Sequence, residues 1–175
     1  MERILASVIS EPDRECGSCT ACCEGWLLSA KMKLYPGSRC DHCTGSGCGI
    51  YAERPETPCR SFKCSWLMSQ AGLLPEARPD LSGVILVELG EWGQWSVFSA
   101  TPTSAAMEDS TFTWLKSFCL EQNIAILFNE LEVVNGEFTG GGQQKTFGPP
   151  DLLAELASGG DADQFWNLAR GSEQF

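Results

Sequence analysis

Cys16-Gly-Ser-Cys19-Thr-Ala-Cys22-Cys23 opens a stretch that runs through Cys40-Asp-His-Cys43 and Cys48 and closes on Cys59-Arg-Ser-Phe-Lys-Cys64. Nine of the ten cysteines lie in it, and only Cys119 lies outside. Pro36-Gly37, Gly45-Ser46-Gly47, Pro55 and Pro58 punctuate the same stretch, so long regular elements do not fit. Short helical turns are expected at Cys19–Trp26 and at Phe62–Ala71, the latter stopped by Gly72 with Pro75 beyond. Contiguous apolar residues are too sparse here to build a core, which points to ligand bonds as the source of cohesion.

The start of the chain, Met1-Glu2-Arg3, is charged and is not followed by an apolar stretch of signal-peptide length. No apolar run approaches the roughly 20 residues that span a bilayer. The expectation is a soluble, cytoplasmic protein that makes no use of membranes. In that reducing compartment dense cysteines serve as metal ligands or catalytic thiols more often than as disulfides.

Cys16-x2-Cys19 and Cys40-x2-Cys43 have the spacing that lets two sulfurs of a tight turn face one ion at about 2.3 Å. Twenty residues lie between these knuckles, close to the pattern of a structural zinc site. Cys16-x2-Cys19-x2-Cys22 equally matches the opening of a bacterial ferredoxin motif, so zinc, iron and an iron–sulfur cluster all remain open. Adjacent side chains diverge, so Cys22 and Cys23 are expected to serve different ions or different corners of a cluster. Nine thiols exceed what one four-coordinate ion can use, which predicts two centres or one polynuclear centre. The candidate ligands are Cys16, Cys19, Cys22, Cys23, Cys40, Cys43, Cys48, Cys59 and Cys64.

Around them, Arg54 and Arg60 are placed either to donate to thiolate sulfur or to form ordinary surface ion pairs. Tyr51, Phe62 and Trp66 are read first as core and second as a shield for a cluster. His42, the only histidine, is assigned to a solvent-facing turn and left out of the ligand set.

The string from Cys16 to Cys23, Cys40, Gly47-Cys48-Gly-Ile-Tyr51, Arg54-Pro55, Cys59-Arg60-x-Phe62-x-Cys64 and Trp66 closely resembles the bacterial CxxCxxCC cysteine-cluster family. Its members are described as zinc- or iron-chelating proteins, and one branch is linked to flagellin lysine N-methylation. The likeness covers about residues 16–66, and Arg78-Pro79-Asp80-x-Ser82-Gly83-Val84 is similar to a continuation found in some members. It implies Cys16, Cys19, Cys22, Cys23, Cys40, Cys48, Cys59 and Cys64 as ligands. Cys43 stands outside the family pattern and rests on local spacing alone.

The charge divides the chain near residue 80. Residues 1–80 carry nine Lys/Arg against ten Asp/Glu, whereas residues 81–175 carry three against thirteen, so nearly all of the net −11 sits in the second part. Such acidity repels phosphate backbones and anionic lipid, which argues against nucleic-acid binding, and it offers a surface to a protein partner. Val84–Leu89 and Trp95–Ser99 are expected to pair through Gly90–Gln94. Thr111–Gln122 has the spacing of an amphipathic helix that buries Phe112, Leu115, Phe118 and Cys119, the last as an ordinary core thiol. Ile124–Phe128 and Leu131–Val134 read as strands, Asn135-Gly136 as a hairpin turn, and Gly140-Gly141-Gly142 as a flexible loop without the Lys and Ser/Thr of a P-loop. Asp151–Ala157 and Asp161–Ala169 read as helices.

The expected fold is therefore α+β: a loop-rich, cysteine-ligated metal module over residues 1–80, then an acidic region over 81–175, a small antiparallel sheet with covering helices packed on the module. The leading function is a metal-binding protein with an accessory or binding role. An iron–sulfur redox protein or electron carrier and a protein lysine methyltransferase-associated domain are the alternatives. No catalytic constellation is identifiable, since a lone histidine between two cysteines cannot complete a Ser/His/Asp set.

Overall fold

The computed structural model describes residues 14–27, 33–68, 73, 75–105, 107–159 and 162–171. A four-stranded sheet, ordered β1-β2-β3-β4, forms the middle layer. Its strands are β1 (Val84–Trp92), β2 (Trp95–Pro102), β3 (Ala125–Val134) and β4 (Glu137–Phe147). The helices are α1 (Pro79–Ser82), α2 (Asp109–Glu121), α3 (Pro150–Ala157) and α4 (Ala162–Gly171).

The second hairpin forms at the turn the sequence marks, whereas the first is tighter than the expected Gly90–Gln94, because Gly90 to Trp92 continue β1 past a register shift. β1 and β2 close on Trp92 opposite Trp95, with Gly93 and Gln94 in the turn. Asn135 and Gly136 both take positive φ, 53° and 83°, the conformation a two-residue turn needs to follow strand twist. One expectation is corrected here. β1/β2 and β3/β4 are antiparallel, but β2 and β3 run parallel from Val97 opposite Ala125 to Ala100 opposite Phe128, so the sheet is mixed. The physical reason is α2: parallel neighbours need a crossover, and the helix between these two strands supplies it. Two further expectations shift. The two strands expected over 124–134 are one strand, and Gly140-Gly141-Gly142 is part of β4 rather than a loop.

Strand alternation sends side chains to two cores. Phe98, Ala100, Ile126 and Phe128 join Leu115, Phe118 and Cys119 of α2 on one face, together with Ala21, Cys64 and Trp66 of the cysteine-rich segment. Trp95, Val97, Ala125 and Leu127 face the other way and meet Leu152 of α3 and Phe165 of α4. There Trp92 stacks on Trp95 at 5.5 Å and takes the edge of Phe165 at 5.3 Å. The first core is continuous across residue 80, so the cysteine-rich segment and the sheet share one apolar interior. Among the described residues no helix is long and apolar enough to cross a membrane.

Before the sheet the chain has turns rather than long helices. Cys22–Trp26 and Glu56–Arg60 are single wide helical turns, each kinked internally, at Gly25 and Thr57. Residues 65–68 form a turn, and the remainder of the helix expected over Phe62–Ala71, with its stop at Gly72, lies outside the described residues. Gly25 holds φ 100°, and a Cβ there would collide with the Tyr35 carbonyl. Tyr35 begins a turn closed by Ser38 N–H donating to its carbonyl at 2.7 Å, and the Pro36 carbonyl in that turn accepts from Phe138 N–H of β4 at 3.0 Å. Gly25 thus fixes how the first cysteine segment seats against the second. Gly25→Ala is expected to destabilise the fold by about 1–3 kcal/mol from backbone strain and displacement of the turn; denaturant unfolding checks it, and an unchanged midpoint would contradict the contact.

Candidate metal centre

The sequence from Cys16 to Cys64 cannot bury itself in helices, and its turns fold inward instead. Cys19 N–H donates to the Cys16 carbonyl at 2.9 Å and Cys43 N–H to the Cys40 carbonyl at 3.0 Å, so each C-x2-C pair is a closed turn. Cys40 N–H donates to the Cys23 carbonyl at 2.8 Å, joining two segments seventeen positions apart in sequence. Cys43 lies opposite Cys48 in a short antiparallel bridge, supported by Gly49 N–H to the His42 carbonyl at 2.8 Å. Ser65 N–H reaches the Leu86 carbonyl of β1 at 2.7 Å, which anchors Cys64 to the sheet. Eight of the nine candidate ligands line one cavity of about 340 Å³; Cys43 is buried beside it. All ten cysteines carry free thiols.

Their electrostatics divide them into two groups. Burial pushes the Cys22 thiol well above 9.0, and the charges of Cys64, Cys19, Cys23 and Cys16 add to it. Cys64 is raised by burial and by Cys16, and Cys19 by burial, Asp80 and Cys64. Cys16, Cys19, Cys22 and Cys64 therefore form an inner group. Cys23 is pushed up to about 12 by burial, then by Cys43, Cys48, Cys40 and Cys59. Cys59 is raised by burial, then by Cys40 and Cys48. Cys23, Cys40, Cys43, Cys48 and Cys59 form an outer group. Cys22 feels Cys64, Cys19 and Cys16 as well as its neighbour Cys23, whereas the thiols that act on Cys23 lie in the outer group. The two C-x2-C knuckles also fall in different electrostatic groups. Cys48 and Cys59 act electrostatically with the outer group and Cys64 with the inner one.

The donor set suits a thiophilic cation. Backbone amides at Ala21 and Asp80 lower the Cys19 pKa, and those at Leu67, Trp66 and Cys64 itself lower that of Cys64, so both sets favour thiolate against burial. Amide donors of this kind offset the charge that thiolates place around an ion. Directly after Cys64, the Ser65 hydroxyl and the Trp66 indole N–H are buried without a hydrogen-bond partner, a cost that buried polar groups normally avoid. The sulfurs nevertheless do not converge: among the described residues no group of three or more His, Cys, Asp or Glu side chains is arranged to hold a metal ion.

The residues around the thiols follow mixed fates. Arg54 donates through Nε to the Tyr51 carbonyl at 2.9 Å, stacks 3.6 Å over the Tyr51 ring, and lowers the Cys59 pKa through its charge. Arg60 donates to the Ala52 carbonyl at 2.6 Å. Tyr51, Phe62 and Trp66 all line the cavity, with Trp66 also part of the main core. His42 is exposed in its turn and also contributes to the cavity lining. Cys119 is buried in α2 with its S–H donating to the Lys116 carbonyl at 3.2 Å and does not line the cavity.

Two further arginines, neither assigned a role from sequence, reach the cysteine-rich segment. Arg14 donates to the carbonyls of Trp66 and Leu73 at 2.9 and 2.8 Å and lies 5.2 Å from the Trp66 ring. Arg78 pairs with Asp80 at 2.6 Å, donates to Ser18 Oγ at 3.2 Å and lies 6.0 Å from the same ring. The Arg-Pro-Asp string at 78–80 was visible, but only the fold brings it to Cys19. No protein-family model, no curated protein and no solved structure matches this chain.

Proposed function

We propose that this protein binds zinc or iron through its cysteines, in two thiolate centres. The inner centre would use Cys16, Cys19, Cys22 and Cys64, and the outer one Cys23, Cys40, Cys48 and Cys59, with Cys43 as a fifth sulfur. The observation that carries the reading is eight cysteines from separate turns lining one cavity, where burial alone gives no reason to collect reactive thiols. The resemblance of residues 16–66 to the CxxCxxCC cluster family points the same way. A cation would supply the charge that lets four thiolates share a point, drawing the sulfurs of each group together as their protons leave.

Zinc would act as a cross-link that holds the turns, whereas iron with inorganic sulfide would add a site for one electron, shielded by Tyr51, Phe62 and Trp66. Free thiols and this chemistry suit the cytoplasm. The acidic sheet region suits an accessory role toward a protein partner and does not suit nucleic acid.

The test is elemental analysis of protein prepared without oxygen, with metal and acid-labile sulfide counted per chain. Two zinc ions, or iron with matching sulfide and a brown colour, are the expected results. Protein that binds neither metal after loading, or that carries its cysteines as S–S bonds, overturns the proposal.

A further inference from the structure

The parallel ladder of the sheet ends early. It runs only from Val97 opposite Ala125 to Ala100 opposite Phe128, yet β2 continues to Pro102 and β3 to Val134. Beyond that point β2 stays with β1, Thr101 opposite Ile85, and β3 stays with β4, Asn129 opposite Gln144. A cleft of about 580 Å³ lies where the two strands part, with Ser99 and Thr101 of β2 and Asn129 of β3 in its lining. The crevice at the carboxyl ends of parallel strands is where open sheets hold small ligands, and such sites measure roughly 300–1,000 Å³.

One wall of the cleft is a fixed polar row. Asn129 Nδ2 donates to Ser99 Oγ at 2.7 Å and to Thr101 Oγ1 at 3.4 Å, and Asn129 Oδ1 accepts from Gln144 Nε2 at 2.8 Å. Ser99 is only 6% exposed, so the row is anchored inside the sheet and crosses three strands. The Asn129 amide is thereby used at both ends. The hydroxyl hydrogens of Ser99 and Thr101 and the carbonyl oxygen of Gln144 have no partner among the described residues and are left for an incoming group. Trp26 and Phe138, both half-buried, add aromatic surface to the lining. The glycines at 140, 141 and 142 line it as well, and glycine within a strand is where another molecule can come close to the backbone. A Cβ at Gly140 would meet nothing within 4 Å.

Charge and geometry narrow the ligand. Glu130 is the only ionisable side chain in the lining, and Lys145 pairs with it at 2.7 Å. A phosphate or carboxylate would find no counter-charge there, in a chain of net −11. A nucleobase is read by an amide that bonds it twice, and Asn129 has already spent its amide on its neighbours. What remains is single donors and acceptors beside aromatic surface, which suits hydroxyls distributed around a ring with an apolar face.

We propose that this cleft binds a neutral carbohydrate, its hydroxyls on Ser99, Thr101 and Gln144 and its ring against Trp26 or Phe138. The cleft shares only Leu27 with the lining of the cysteine cavity, so the proposal stands independently of the metal reading.

The experiment titrates the 15N-labelled full chain with glucose, galactose, mannose, N-acetylglucosamine and maltose, and with glucose 6-phosphate and adenosine for contrast, recording amide NMR spectra. Expected with at least one neutral sugar are saturable shifts, half-complete by about 10 mM, at the side-chain amides of Asn129 and Gln144 and the backbone amides of 140–142. Thr101→Val and Gln144→Ala should each weaken binding about three- to tenfold, whereas Thr113→Ala on the exposed face of α2 leaves it unchanged. The spectrum of each variant reports its fold, and the exposed Gln144 can be replaced without touching either core. No saturable shift with any of the five sugars, shifts centred outside the cleft, an equal or stronger response to glucose 6-phosphate or adenosine, or unreduced affinity in a folded cleft variant overturns the proposal.

Discussion

Cys64→Ser is expected to remove one ion per chain and to destabilise the protein by at least about 4 kcal/mol, whereas Cys119→Ser leaves the metal count unchanged. Cys64 is buried, lies in the apolar core with Phe98, Ile126 and Phe128, and is fixed by Ser65 to the Leu86 carbonyl of β1. Serine in its place leaves a hydroxyl in an apolar site, which costs about 1–3 kcal/mol when unpaired, and it deletes a ligand whose bond is part of the folding free energy. Both losses fall on the contact that joins the cysteine turns to the sheet, so they act on global unfolding rather than on a surface loop. Cys119 is equally buried but sits on α2, bonded to the Lys116 carbonyl. Its replacement carries the packing loss without the ligand loss. Metal analysis and denaturant unfolding of the two variants separate the roles. Equal metal content in both, or a Cys64→Ser midpoint as high as that of Cys119→Ser, would remove Cys64 from the inner centre.

Much of this arrangement was legible from local residue chemistry, and the remainder depended on contacts between distant segments. Asn135-Gly136 dictates its hairpin because only a two-residue turn with positive φ fits between the flanking β-prone residues, and α2 announces itself through Leu115, Phe118 and Cys119 on one face. The parallel pairing of β2 with β3 departs from the antiparallel sheet expected, although a strand, a helix and a strand in succession is the pattern that produces it. The triple glycine, read from sequence as a loop, is strand even though glycine weakens strands. In β4 it is held by register with Leu131 and its neighbours on β3. At the thiols, adjacency alone told Cys22 from Cys23. Which distant cysteines lie near each of them could not be read from spacing, because that depends on contacts between segments such as Cys40 N–H to the Cys23 carbonyl and Ser65 N–H to the Leu86 carbonyl of β1.

The metal-free and metal-loaded forms are expected to respond to pH with opposite slopes. In the free protein, burial raises the thiols of Cys19, Cys22, Cys23, Cys59 and Cys64 above 9.0, with Cys23 at about 12. A group whose pKa is higher folded than unfolded stabilises the fold in its protonated form. That contribution is complete below pH 9.0 and is lost as pH climbs toward about 12. Metal binding runs the other way, because every ligating thiol must first give up its proton. If four protons leave per ion, one unit of acidification lowers the apparent binding constant by about ten-thousandfold in the range where the thiols are protonated. The loaded protein should therefore gain stability steeply from about pH 5 to about pH 8 and keep it at alkaline pH, where the free protein weakens. Melting curves of both forms across this range, with released zinc measured alongside, give the comparison. Parallel curves for the two forms would mean that the ion is not held by these thiols.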